Sequence, residues 1–454
     1  MANFDGKMGA LMWLGNAIHT ALQNARTKKE INQIYKNVSE ANFQNRAVAV
    51  LSSVNKKELL LISGDPSDND IIDMAPKSKT PAIDYIWGIN QSPQSAVVSG
   101  GPSDARVRAL MPFVRKSQNK NIPLIALHNG NRNLEAMITQ NSLDCECISR
   151  NKFYYDIFRG MAVDDMAFLL YETMPDDNNK PKSPKAEALL RALLEVVLRK
   201  NSTVTFQNLA AFPLANLKDI LDGMAKKAYV TVSEYKAIDR DYMAGSSELD
   251  EVRVFLNKLN RQAAAIYGNP TENTCNIKKM LNRKGAIAID VGGVQNDLIF
   301  SLVTNHLMLL QSQGRDFSIL LDDVPISRYP KATDLIRGRT YAISHNDFVA
   351  SLFGGKKQGN DLFSEITGNV STLVLLGHAS GTSCQKWSEH LGKYHKIRIR
   401  YNISQSKAFL NSSDSRGISV DETDEPRVRA ETLSRLPGTL ACIHNSEGTL
   451  FAEV

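Results

Sequence analysis

No stretch of this chain holds the roughly 20 consecutive apolar residues that a membrane-spanning helix needs. Its most apolar N-terminal segment, MANFDGKMGALMWLGNAIHTALQNA, is broken by Asn16, His19, Thr20 and Gln23. No small-residue cleavage site follows a long apolar run, so no signal peptide is expected. Cysteine is scarce: Cys145, Cys147, Cys275, Cys384 and Cys442. The number is odd and no C-x-x-C or zinc-like Cys/His spacing occurs, which argues against a disulfide framework and a structural zinc. Reduced thiols in a cytoplasmic protein are expected. Cys145 and Cys147 alternate with acids in DCEC and read as buried strand positions rather than a redox pair. Charge of one sign is nearly lacking in excess: 54 Lys+Arg against 48 Asp+Glu leaves +6. That permits a polyanionic partner without requiring one. His128, His345, His378, His390 and His395 show no metal spacing, and no Gly-x-Ser-x-Gly elbow is present, so each reads as a surface or hydrogen-bonded histidine.

What the sequence does contain is ordinary globular composition, with 43% hydrophobic and 22% charged residues over 454 positions. This excludes a disordered or collagen-like chain, and the length suits about two to four domains. Residues 5–45 place Ala10, Leu11, Leu14, Ile18 and Leu22 at three- and four-residue steps, predicting helix. AVAVLSS and ELLLIS read as strands around Asn55-Lys56-Lys57, and the stretch 63–93 is rich in turn formers. SAVVSGG then predicts a strand, DARVRALMPFVRKSQNK a helix, NIPLIALHNG a strand, NRNLEAMITQNS a helix and CECI a third strand. Such alternation implies a parallel sheet. It stops at Pro175, where MPDDNNKPKSPK marks a boundary, and 184–265 read almost wholly helical. Strands resume with GAIAIDVGG, FSILLDDV, TYAIS and STLVLLG, and end in the pair TLACIHN and GTLFAEV.

Two segments carry chemistry. In S-G-G-P-S-D-A-R-V a strand meets a Gly-rich turn and a helix start, the parts from which phosphate cradles are made. Against G-x-x-x-x-G-K-[ST], aligned on Gly100, the second Gly is Ala105, the Lys is Arg106 and the hydroxyl residue is Val107. Gly101, Ser103 and Asp104 complete the candidate nucleotide-binding set. In FSILLDDVP a buried strand ends on Asp322 and Asp323. In phosphate-binding sheets the first such acid holds Mg2+ and the second activates water. Asp322 is therefore the candidate metal ligand, and both acids are the candidate catalytic residues.

Order and spacing of these motifs resemble the TraG/TraD-type coupling proteins of conjugation and type IV secretion, within the FtsK/HerA-like hexameric DNA translocases. The resemblance spans roughly residues 93–454. GGPSDARV through Met111-Pro112 to PLIALHNGNRNLE is similar to the family's phosphate turn, helix and second strand. LLDDV through Pro330 resembles its LLDEF segment, IRGRTYAIS its Arg-bearing helix end and strand, and LSRLPGTLACIHNSEGTLF its closing hairpin.

The resemblance implies an α/β fold: a RecA-like P-loop NTPase core with a mainly parallel central sheet, formed by 76–175 and 266–454. It further implies an inserted all-helical domain at 176–265; the residue pattern before it predicts a small N-terminal helical/strand extension at 1–75. ATP and Mg2+ are the implied cofactors. A hexamer, DNA or a secreted protein cargo, and type IV secretion or conjugation components are the implied partners. Ser344 takes the place of the γ-phosphate sensor, and Arg337 and Arg339 are candidate arginine fingers. Lys278 and Lys279, with Lys396, Arg398 and Arg400 alternating in KIRIRY, are candidate DNA contacts. The family's membrane anchor is not visible, so membrane attachment would come through a partner.

The departures fall together on the cradle Gly, its Lys and hydroxyl, the sensor and the second-strand acid (Asn129 or His128). They imply impaired hydrolysis. A non-catalytic pseudo-ATPase scaffold and an active ATPase using Arg106 are the alternatives.

Overall fold

The computed structural model describes residues 28–46, 48–53, 58–60, 94–150, 152–175, 182–268, 273–292, 296–324, 326–328, 330–353, 359–408, 411–438, 440–445 and 448–454. The expected N-terminal helix is described as α1, Lys28–Arg46; the apolar stripe at 10–22 and the turn-rich stretch 63–93 lie outside the described residues.

Short apolar runs between turn formers produce the strands. In chain order these are β1 (Val48–Ser53), β2 (Glu58–Leu60), β3 (Ala96–Ser99), β4 (Leu124–His128) and β5 (Cys145–Ile148). A small separate pair follows, β6 (Tyr154–Tyr155) with β7 (Thr274–Cys275), then β8 (Ala286–Asp290), β9 (Ser318–Asp322), β10 (Tyr341–His345) and β11 (Thr372–Leu375). Last come the long ribbon strands β12 (Lys393–Ala408) and β13 (Asn411–Pro426), and the closing hairpin β14 (Leu440–Asn445) and β15 (Gly448–Glu453). The main sheet has the order β2-β1-β15-β14-β11-β3-β10-β9-β4-β8-β5. From β11 to β5 every neighbour is parallel. This is the mixed α/β, mostly parallel sheet that the alternation predicted. The N-terminal strands extend the same sheet, because β1 runs parallel to β15.

A parallel sheet buries both faces, and the two faces here differ in residue size. Val97, Ile125, Leu127, Ile287, Ile289, Ile319, Leu321 and Ile343 line one. Ala96, Ala126, Ala286, Ala288 and Ala342 alternate with them on the other. The small side chains leave room for bulkier helical ones, Leu110, Phe113 and Val114 of α2 (Ser103–Asn119) and Leu134 and Ile138 of α3 (Arg132–Asn141).

The helices that follow are α4 (Val163–Thr173), α5 (Pro184–Asn201), α6 (Phe206–Ala211), α7 (Leu217–Lys226), α8 (Val232–Gly245) and α9 (Leu249–Tyr267). Their starts are written in sequence, with Ser183 capping α5 before Pro184 and a Thr231/Glu234 capping box on α8. Leu189, Leu193 and Leu256 share one apolar cluster with Ile125 and Ile319. The apolar side chains of the helical segment are thus continuous with those of this sheet face.

The remaining helices are α10 (Ile277–Asn282), α11 (Asp297–Ser312), α12 (Pro330–Ile336), α13 (Phe348–Leu352), α14 (Gly359–Thr367), α15 (Gly381–Leu391) and α16 (Ala430–Arg435). Helix α1 lies on the ribbon. The Asn42 amide donates to Ile397 O (2.9 Å) and accepts from Ile397 N (2.8 Å), while Ile34 and Val38 pack on Ile397.

Candidate functional site

Strands β3, β10 and β9 lie side by side and parallel, so the Gly-Gly turn, Ser344 and the two acids emerge at one carboxyl edge. The sequence placed the turn and the acids at a common edge; one strand, β10, stands between them. Gly100 and Gly101 both have positive φ, +88° and +67°. A Cβ at Gly100 would stand 2.7 Å from the His378 ring, and one at Gly101 2.8 Å from Leu376 Cβ. The glycines are there because the turn presses on its neighbours.

His378 pins the turn from behind. Its Nδ1–H donates to Leu376 O (2.6 Å), which leaves Nε2 to accept from the Ser99 hydroxyl (2.7 Å). Ser99 Oγ also accepts from Phe348 N (3.2 Å). Burial lowers the His378 pKa and keeps the ring neutral.

A phosphate cradle needs backbone N–H groups aimed at the ligand. Here four of them, at Gly100, Gly101, Ala105 and Arg106, are aimed at the protein. Gly100 N donates to His345 O (3.1 Å) and Gly101 N to Gly377 O (2.8 Å). Pro102 has no N–H. Helix α2 begins at Ser103, so Ala105 N and Arg106 N both donate to Pro102 O (3.1 and 3.2 Å). The residues aligned with the phosphate loop therefore form the first helical turn. Ala105 and Val107 are buried in the alanine-face core.

Arg106 does not face solvent. It is 3% exposed. Its Nε donates to Ser344 Oγ (3.2 Å), NH1 to Gly101 O (2.9 Å) and NH2 to Asp323 Oδ2 (2.5 Å). Asp323, with 31% of its side chain exposed, sits at φ +50° and accepts from Asn346 N through Oδ1 (3.1 Å). Its own N–H donates to Ser344 O (2.9 Å). The carboxylate thus stands where an arginine would otherwise meet a phosphate oxygen, and each of its oxygens already has a donor.

Asp322 is fully buried. Burial pushes its pKa up, against hydrogen bonds from Asn131 and Ser344. Asn131 escaped the sequence reading. It caps α3, accepting from Leu134 N (3.1 Å), and its Nδ2 donates to Asp322 Oδ2 (2.7 Å) and Ser103 Oγ (3.1 Å). An Asn just ahead of an apolar helix was the available signal, but it marks a cap and says nothing of Asp322. Behind it, His128 Nδ1 accepts from Asn131 N (3.1 Å), which puts the ring proton on Nε2, 3.4 Å from Glu135 Oε1. Glu135 is itself buried and paired with Arg132 and Lys152. Asn129, offered with His128 as the second-strand acid's replacement, has no part in these bonds; Glu135, on α3, supplies the buried carboxylate.

These residues do not fit ATP and Mg2+ as they are arranged. The cationic head is paired, four turn amides are bonded within the protein, and a buried valine stands in the hydroxyl's place.

The other candidates lie elsewhere. Arg337 and Arg339 follow α12 and precede β10, at the sheet's amino edge, away from this turn. Arg339, with 8% of its side chain exposed, lies 4.1 Å over the Phe317 ring and donates to Phe317 O (3.0 Å) and Arg315 O (3.2 Å). These contacts tie the Arg339 guanidinium to its own chain. Arg337 is exposed and paired with Glu365 (2.7 Å) and Asp334 (3.1 Å). Lys278 and Lys279 are exposed on α10, also at the amino edge, ahead of β8. Lys396, Arg398 and Arg400 share one ribbon face. Glu425 pairs with Lys396 (3.7 Å), Arg398 and Arg429 (3.0 Å), and Asp421 with Arg400 (3.1 Å).

No known protein family and no curated protein matches the chain by sequence. Solved structures do match. The unbound bacterial conjugative coupling protein TrwBdeltaN70 has a TM-score of 0.52 and 15% identity, covering 86% of this chain and 91% of its own. The plasmid coupling protein TrwB in complex with ADP and Mg2+ has 0.50 and 13%, covering 86% and 91%. VirB4 of Thermoanaerobacter pseudethanolicus has 0.40 and 10%, covering 79% and 88%. The chain shares the fold of the TrwB coupling protein, a RecA-type α/β core, as its motif order implied. Among the described residues no helix is long and apolar enough to cross a membrane.

Proposed function

We propose that this chain is a coupling-protein-like component of conjugative DNA transfer or type IV secretion that has given up ordinary ATP hydrolysis. The observation that carries this reading is the Arg106 guanidinium, bonded to Asp323, Ser344 and Gly101 inside a TrwB-like fold. Phosphoryl transfer depends on free cations, hydroxyls and amides meeting the phosphates and Mg2+. Here the corresponding groups hold one another. The turn stays because it organises the sheet edge, and the surface, with exposed cations such as Lys278 and Lys279, recruits DNA or a protein cargo.

A steady-state assay of phosphate release, with and without Mg2+, tests the loss of hydrolysis. The expected result is a rate indistinguishable from that of an Asp323→Asn variant. Mg2+-dependent release abolished by that substitution would overturn it and favour an ATPase working through Arg106. A pure scaffold is the second reading, favoured by the bonded turn amides. DNA binding at low salt separates it from the first, since association with secretion components is common to both.

A further inference from the structure

A cleft of about 470 Å3 opens between the small β6/β7 sheet, the loop 156–161 that follows β6, and the turn 202–205 between α5 and α6. Its volume is that of a small-ligand site. The floor is apolar: Tyr154, Phe158, Met166 and Val204 are buried there, and Met161 lines one side. The Phe206 ring meets Tyr154 and Phe158 edge-on, with centroids 6.1 and 5.4 Å away, so both rings are held in place. Asp156 also lines the cleft, with 19% of its side chain exposed. Its carboxylate makes a loose pair with Arg159 Nη1 at 3.7 Å, and Arg159 is itself 72% exposed. Acceptor capacity is therefore left for a donor within the cleft.

The surroundings carry the opposite charge. Arg159 and Met161 line a neighbouring hollow together with the exposed Lys278, and Asn276 Nδ2, at the start of α10, donates to Arg159 O (2.9 Å). Asp165, the acid on that side, accepts from Gln313 Nε2 (3.3 Å). A basic peptide side chain would suit Asp156 but would have to pass Arg159 and Lys278. A nucleotide suits both parts. An exocyclic amine donates to a carboxylate, a base lies against apolar and aromatic side chains, and phosphates meet cations. We propose that this cleft takes one unpaired base of single-stranded DNA, of the kind that carries an exocyclic amine (cytosine or adenine), with Asp156 accepting from the amine and Arg159 and Lys278 meeting the flanking phosphates. The proposal rests on the reading of the chain as one that recruits DNA.

Thymine has a carbonyl oxygen where cytosine has its amine, so it would set one acceptor against another. The test is fluorescence anisotropy of labelled oligo(dC) and oligo(dT) of equal length with the full chain at low salt. Oligo(dC) is expected to bind about tenfold more tightly. Asp156→Ala should bring the ratio of the two affinities to about one, and Arg159→Ala should weaken both strands. Met161→Trp, which fills the cleft, should also erase the preference, and it carries the test if Asp156→Ala does not fold. Equal binding of the two strands by the wild type, or a preference that survives Asp156→Ala, overturns the proposal and leaves DNA recruitment standing. Failure to bind either strand removes both. A lysine-rich peptide that binds the wild type and is lost in Asp156→Ala, with no preference between the strands, would overturn the proposal in favour of a protein cargo.

Discussion

Asp322 and Asp323 are neighbours in sequence and opposites in environment. Asp323 completes a charge pair that its partial exposure weakens, so the cost of breaking a buried pair, about 3–5 kcal/mol, is discounted here to roughly 1–2 kcal/mol. Asp323→Asn is expected to lower stability by that much in urea unfolding. It also leaves the Arg106 guanidinium without its anion, so binding of an ATP analogue, followed by calorimetry, should tighten about tenfold. An unchanged or weaker affinity would sink the idea that this carboxylate occupies the anion position.

Asp322 behaves in the other direction. Its folded pKa is raised by burial, above the ordinary 3.8. The folded state therefore holds the proton more tightly than the unfolded chain does. The resulting stability is complete below about pH 4 and is lost as pH rises through the folded value. Asp322→Asn keeps an acceptor for Asn131 and removes the buried charge. The variant should be more stable than wild type at pH 7, and the gain should shrink toward pH 4. Parallel stability–pH curves for the two proteins would contradict this.

At the scale of elements, the strands were legible as short apolar runs between turn formers, because both faces of a parallel sheet are buried. The phosphate-type turn was legible as Gly-Gly-Pro between a strand and a helix. What the turn does was not, because that depends on where its amides point and on Leu376 and His378, more than 270 residues further along the chain. Asn131 was hidden for the same reason: a cap is local, whereas its bond to Asp322 spans 191 residues. The sixteen-residue ribbon strands were only partly visible, since KIRIRY alternates but much of β13 is polar. Gly100→Ala tests the turn as an element. A methyl group there meets the His378 ring and forces a residue with a Cβ to φ +88°. The expected cost is about 2 kcal/mol or more. A melting midpoint equal to wild type would mean that the turn is not tightly held.

Across the whole molecule, cations fall into two kinds, and this decides which of them can serve a polyanion. Arg398 and Arg400 face acids of β13, and Glu425 shows the strength of the arrangement: burial would raise its pKa, but Arg398, Arg429 and Lys396 together bring it down. Cations paired in this way already have their counter-charges, so meeting a phosphate means exchanging one partner for another with little net release of salt ions. Lys278 and Lys279 are exposed on α10 at the sheet's amino edge. On duplex DNA each phosphate that such a lysine neutralises adds about 0.9 to the slope of log K against log salt. If the chain binds DNA as proposed, replacing both lysines by alanine should flatten that slope by about 2. Replacing Arg400 should leave the slope nearly unchanged, because its salt bridge with Asp421 is mostly exposed and lies within the ribbon. Fluorescence anisotropy of a labelled duplex between low and moderate salt reads both effects. A slope that depends on the ribbon arginine and ignores the two lysines would reverse the assignment, placing the nucleic acid on the ribbon and away from the sheet's amino edge.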